Sequence, residues 1–145
     1  MADQPPRYDH PDLGRFDEWS EVPGFWQGKA RWLGTLIDLD LQVHHGTVEQ
    51  AATHAARLLN RAAEADAEMA QEKARDLYPV WQENWHVGED LSPQDWLARQ
   101  EPRTLSVHDD GAFEFYWSDG GLFLNHEVQV RWREGTGYFD ATIVG

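Results

Sequence analysis

The chain has no cysteine, so disulfides, thiolate zinc sites and cysteine nucleophiles are excluded together. Cation is scarce as well: 12 Lys and Arg stand against 26 Asp and Glu among 145 residues, a formal net charge of −14. Phosphate binding is driven by Lys and Arg displacing counterions, so this balance argues against nucleic acid as a partner. It argues equally against an anionic membrane surface. No run approaches the roughly 20 apolar residues of a membrane helix. The N-terminus has no basic stretch followed by an apolar one, so a soluble cytoplasmic protein is the expectation. Glycine forms no phosphate-cradling or dinucleotide pattern, and no serine sits in a G-x-S-x-G elbow. No cofactor is expected, and nothing marks a catalytic residue.

Aromatics are plentiful: eight Trp, six Phe and four Tyr. That composition belongs to a folded chain, and 145 residues are enough to bury one sizeable core. Residues 1–12, with Pro5, Pro6 and Pro11, are expected to form a flexible arm ahead of a single domain at 13–145. From Leu13 to His44 the pattern is that of strands. Trp26, Gly28, Ala30 and Trp32 alternate, Leu33-Gly34 turns, and Ile37, Leu39, Leu41 and Val43 follow at period two, with Asp38, Asp40, Gln42 and His44 opposite.

Thr47-Val48-Glu49-Gln50 reads as a capping box. The stripe Val48, Ala51, Ala52, Ala55, Leu58, Leu59 and Ala62 opens a long helix predicted to run through Leu77 toward Trp81, kinked or restarted at Pro79. Ser92-Pro93-Gln94-Asp95 starts a short second helix that ends before Pro102. Four strands then alternate: Leu105–Val107, Phe113–Trp117, a long one from Leu122 to Trp132, and Tyr138–Val144, with turns at Asp109-Asp110-Gly111, Asp119-Gly120-Gly121 and Glu134–Gly137. The expected architecture is α+β: an antiparallel sheet built from N- and C-terminal meanders, with both helices packed on one face.

The segment Phe113-Glu114-Phe115-Tyr116-Trp117-Ser118-Asp119-Gly120-Gly121-Leu122-Phe123-Leu124-Asn125-His126 resembles a bacterial family known only as a domain of unknown function, number twenty-two sixty-two. The family's pattern is similar to F-x-F-x-x-x-D-G-x-L-F-x-G-H, followed by an alternating strand. Leu13-Gly14-x-Phe16, Trp26-x-Gly28, Trp32-x-Gly34 and Tyr78 to Trp85 extend the resemblance from about Leu13 to Gly145. Asn125 departs from the pattern, which places Gly there; Asn tolerates a left-handed backbone, so a bulge survives. The resemblance implies a bacterial origin and a fold, and supplies no activity. Toxin–immunity contexts among the relatives imply an immunity-type inhibitor as one role.

Candidate functional residues follow from position. His126 shares its phase with Val128, Val130 and Trp132, which places it partly or wholly in the core; it reads either as a base, ligand or pH-sensitive group, or as a structural His. Tyr116 faces away from the core beside it, and Asp119 heads the adjoining turn. Asp38, Asp40 and His44 share one strand face and are weak metal candidates, since a solvated strand face explains the same alternation. Between Trp81 and Asp119, nine acidic residues stand against two Arg. Trp85, Glu89, Asp90, Asp95 and Trp96 therefore read as an acidic, aromatic docking stretch for a basic protein. The leading expectation is a non-enzymatic interaction module, with an immunity-type inhibitor of a basic toxin as its specific form. A small enzyme or ligand-binding domain using His126 in an aromatic pocket is one alternative, and a structural accessory domain is another.

Overall fold

A computed structural model describes residues 6–145, the side chain of Phe139 excepted. Eight strands form one sheet in sequence order: β1 (Arg7–His10), β2 (Gly14–Glu18), β3 (Phe25–Trp32), β4 (Thr35–Gln42), β5 (Glu101–His108), β6 (Phe113–Ser118), β7 (Glu127–Arg133) and β8 (Gly137–Val144). Every neighbouring pair is antiparallel except β4–β5, the one join that spans the helical middle of the chain. A parallel pair needs a long crossover, and residues 43–100 supply it. The fold is α+β with a mostly antiparallel sheet.

Three sequence expectations are corrected. Residues 1–5 of the expected arm lie outside the described residues, but Arg7–His10 is strand β1, held in register by Tyr8 opposite Phe16. The long helix breaks at Arg61 into α1 (Val48–Asn60) and α2 (Ala62–Asp76). The break is tertiary in origin: α1 packs on β4 and β5, while α2 packs on β7 and β8, and one straight rod cannot cover both. Pro79 then restarts a helical turn, α3 (Tyr78–Val80), followed by a π-helical turn at Trp81–Trp85. The long strand expected from Leu122 begins only at Glu127, because residues 119–126 wrap around a buried carboxylate.

The capping signals hold. Gln50 N–H donates to Thr47 Oγ1 at 3.2 Å while Gln50 Oε1 accepts from Thr47 N–H at 2.9 Å. Ser92 caps α4 (Pro93–Ala98) by accepting from Asp95 N–H at 3.1 Å. Ala51, Ala52 and Ala55 are fully buried, and their small side chains let α1 sit close on Leu39, Leu41, Leu105 and Val107. Trp32, Phe115 and Trp117 fill the space beneath α2. Trp32 meets Phe115 edge-on at 4.7 Å, Phe115 stacks on Trp117 at 4.2 Å, and Trp32 Nε1–H donates to Asp66. Gly28 lies across from Phe16, whose ring would stand 2.6 Å from any Cβ there, so glycine is what admits the ring.

Candidate functional site

Strand alternation divides the sheet's side chains into two faces. Ile37, Leu39, Leu41, Leu105, Val107, Phe113, Phe115, Trp117, Val128 and Val130 point to the helices and are buried. The opposite face has no described element packed on it. Across it run two polar rows fixed by the strand register: Lys29–Asp38–Thr104–Tyr116–Gln129–Thr142, and Gln27–Asp40–Ser106–Glu114–Arg131–Asp140.

Most of these groups satisfy one another. Lys29 pairs with Asp38, Arg131 Nε donates to Asp140 at 2.7 Å, Gln129 Nε2 donates to Tyr116 Oη at 2.9 Å, and Gln42 Nε2 donates to Ser106 Oγ at 2.6 Å. Where β4 and β5 end, His44 Nε2 lies 2.9 Å from His108 Nδ1, and His108 Nε2 lies 2.8 Å from the Glu114 carboxylate. The hydrogen bond to Glu114 raises the His108 pKa above its ordinary value, against the opposing effect of burial.

Asp40 is the exception. Its carboxylate makes no hydrogen bond and no ion pair among the described residues, although it is half-buried at the centre of the sheet. Burial, then the charge of Asp38 beside it, push its pKa up to about 6, and Lys29 only partly opposes them. Asp40 lines a cleft of about 570 Å³ with Arg15, Asp17, Gln27, Lys29, Asp38 and Thr104. A second cleft of about 430 Å³ lies across the Ser106–Glu114 row and holds His44, His108, Glu114 and Arg131. Both are walled largely by polar side chains.

The residues singled out from sequence scatter. Asp38, Asp40 and Tyr116 come together on the uncovered face, and His44 reaches its edge. No three His, Asp or Glu side chains converge to hold a metal ion among the described residues: Asp38 turns to Lys29 and His44 to His108. His126 and Asp119 belong to a different place, the connection from β6 to β7. Asp119 is buried, and its carboxylate accepts from the backbone N–H of Gly121 (2.9 Å), Phe123 (2.9 Å) and His126 (3.0 Å). His126 Nδ1–H donates to the Phe123 carbonyl, and the ring meets Trp85 edge-on at 5.9 Å. His126 lines neither cleft of the uncovered face. Leu124 and Asn125 carry the left-handed backbone that lets the loop close, with φ of 57° and 68°.

The acidic docking stretch is also redistributed. Trp96 is fully buried against Tyr78 and Phe123, which corrects its reading as a partner anchor; α4 needs that ring to fill the gap beside α2. Trp85 is half-buried on Phe123. Glu89 pairs with Arg99, Asp90 with His86, and Asp95 sits in the first turn of α4. Asp109 ties the β5–β6 turn to the start of α1 through the His45 and Gly46 N–H groups. Of the nine carboxylates in that stretch, Glu89, Asp90, Asp109, Glu114 and Asp119 are engaged within the chain.

His108 and Glu114 were missed by sequence reasoning. They sit six residues apart on either side of a hairpin turn, and the alternation of β5 and β6 was the signal that puts both on the same face.

The model of a bacterial family described as an uncharacterized protein conserved in bacteria, DUF2262, matches residues 10–143. The chain belongs to that family. The geometry explains the DUF2262-like segment as architecture: Asp119 gathers the loop, Gly120 lies where a Cβ would stand 2.2 Å from the Arg99 carbonyl, Leu122 and Phe123 plug the core, and Asn125 and His126 close the turn. No curated protein and no solved structure matches the chain. Among the described residues no helix is long and apolar enough to cross a membrane.

Proposed function

We propose that this DUF2262 chain is a non-enzymatic interaction module that takes a basic protein partner on the uncovered face of its sheet. The observation that carries this reading is Asp40, a half-buried carboxylate without a partner at the centre of that face. Leaving a buried charge unpaired is costly, and a Lys or Arg side chain entering the Asp40 cleft would remove the cost. The clefts on either side are walled largely by polar side chains, unlike the mainly apolar sites that small molecules favour. The net charge of −14 supports a basic partner through faster encounter. Immunity-type inhibition of a basic toxin is one form this role takes.

The test compares partner capture by the wild-type chain, by Thr104→Arg, which puts a bulky cation beside Asp38 and Tyr116, and by Glu83→Arg on the exposed π-helical turn. A basic protein bound by wild type and by Glu83→Arg, released by salt and lost on Thr104→Arg, is the expected result. Retention of the partner by Thr104→Arg, or capture only of acidic proteins, overturns the reading.

A further inference from the structure

The helix-covered side of the sheet holds a feature that the uncovered face does not explain. A groove of about 400 Å³ opens between the C-terminal half of α1 and the ends of β5, β6 and β7. Its floor is apolar: Leu58, Val107 and Phe113 are buried there. Trp132 forms a wall, stacked on Phe113 with ring centroids 5.6 Å apart and planes 11° apart. Trp132 itself is only half-buried, so part of its ring is presented to the groove.

The rim carries two of the chain's 12 Lys and Arg. His54, Arg57 and Arg61 all line it, with Glu134 on the same rim. Arg61 is already held by Glu68 at 3.1 Å and Glu64 at 3.5 Å. Arg57 is exposed and makes no hydrogen bond or ion pair among the described residues, and neither ring nitrogen of His54 is bonded. Arg57 in the last turn of α1 does complement the helix dipole. That role needs no aromatic wall beside it, and any solvated helix end would serve. Gly111, at φ 93°, keeps the mouth clear, since a Cβ there would stand 3.1 Å from the His54 ring.

We propose that this groove is a binding site for a small molecule with a flat apolar body and one carboxylate. The body lies on Phe113 and Trp132, and the carboxylate takes the guanidinium of Arg57, with His54 as a second donor. The volume falls within the ordinary range for small-molecule sites. A planar guanidinium matches a carboxylate through two parallel hydrogen bonds, which fixes the orientation of the bound body. Trp132 also borders the second cleft of the uncovered face, but Asp40, Arg57 and His54 are not shared, so the Arg57→Gln arm below separates this site from the partner surface proposed above.

The test titrates the full-length chain with 2-naphthoate and with 2-naphthamide, which keeps the flat body and loses the charge. Indole N–H resonances are followed by NMR, with Trp132 assigned by Trp132→Phe. The expected result is saturable movement of the Trp132 signal by the acid, with the amide at least about tenfold weaker. Arg57→Gln, an exposed substitution that leaves the fold intact, weakens the acid by about tenfold and leaves the amide unchanged. Equal binding of acid and amide, an unaltered affinity in Arg57→Gln, or no movement of Trp132 at about 10 mM naphthoate overturns the proposal.

Discussion

Two charged side chains in this protein stand where charge is expensive, and they are expensive for different reasons. Asp40 is half-buried on the uncovered face with no partner, and its pKa rises to about 6. Lys73 is buried in the core, its ammonium 3.8 Å from the centre of the Trp117 ring, and burial brings its pKa down to about 7 against the opposing charge of Asp66. The folded state therefore binds its proton less tightly than the unfolded state does. The cost of Lys73 is full below pH 7 and fades as pH rises from about 7 toward the ordinary lysine value of 10.5. Lys73→Met replaces the charge with an apolar stem of similar shape and forfeits the cation–π contact and the attraction of Asp66. It is expected to stabilise the protein by about 2 kcal/mol at pH 7. Urea unfolding at pH 7 and pH 10 checks this: the advantage of Lys73→Met shrinks at the higher pH, and an unchanged difference would remove the buried ammonium as its source.

At the scale of elements, the β6–β7 connection depends on one residue. Asp119 accepts from three backbone N–H groups, that of Phe123 buried and those of Gly121 and His126 partly so, and it thereby seats Leu122 and Phe123 in the core. Asp119→Ala leaves all three donors without their acceptor at once and is expected to destabilise by about 3 kcal/mol, measured by chemical denaturation. A loss under about 1 kcal/mol would show that water serves the loop equally well. The same paired logic explains α1 and α2. Each is short enough to match the part of the sheet beneath it, and the Arg61 break redirects the chain from β4–β5 to β7–β8.

For the whole molecule, the net charge of −14 acts as self-repulsion in the compact state. The ion pairs that relieve it are mostly exposed and individually weak, such as Arg7–Asp9 and Arg15–Asp17. Adding salt screens the repulsion more than it weakens these pairs, so the thermal midpoint is expected to rise by several degrees between low salt and about 0.5 M sodium chloride. A midpoint that falls over that range would show that attractive pairs dominate instead. The balance also differs between regions. The uncovered face mixes Arg15, Lys29 and Arg131 with Asp17, Asp38, Asp40, Glu114 and Asp140, so its character comes from one unpaired carboxylate rather than from bulk charge.

What the sequence determined by itself was local. Period-two alternation put Leu39 and Asp40 on opposite faces, the Thr47–Gln50 and Ser92–Asp95 pairs set two helix starts, and the family segment around Asp119 marked the chain's DUF2262 membership. Each of those signals spans a few residues, within reach of a hydrogen bond or a strand repeat. The tertiary structure alone decided which strands meet, and through that which side chains share a face. The parallel join of β4 to β5 carries Asp40 to Ser106, and the pairing of β5 with β6 brings in Glu114. The same packing buried Trp96, which looked like an anchor, and moved His126 off the strand into a loop. Burial and partnership are sums over elements distant in sequence, and no short pattern contains them. An alternating Asp is a solvated residue until neighbouring strands crowd it beside a second carboxylate and leave it without a hydrogen bond.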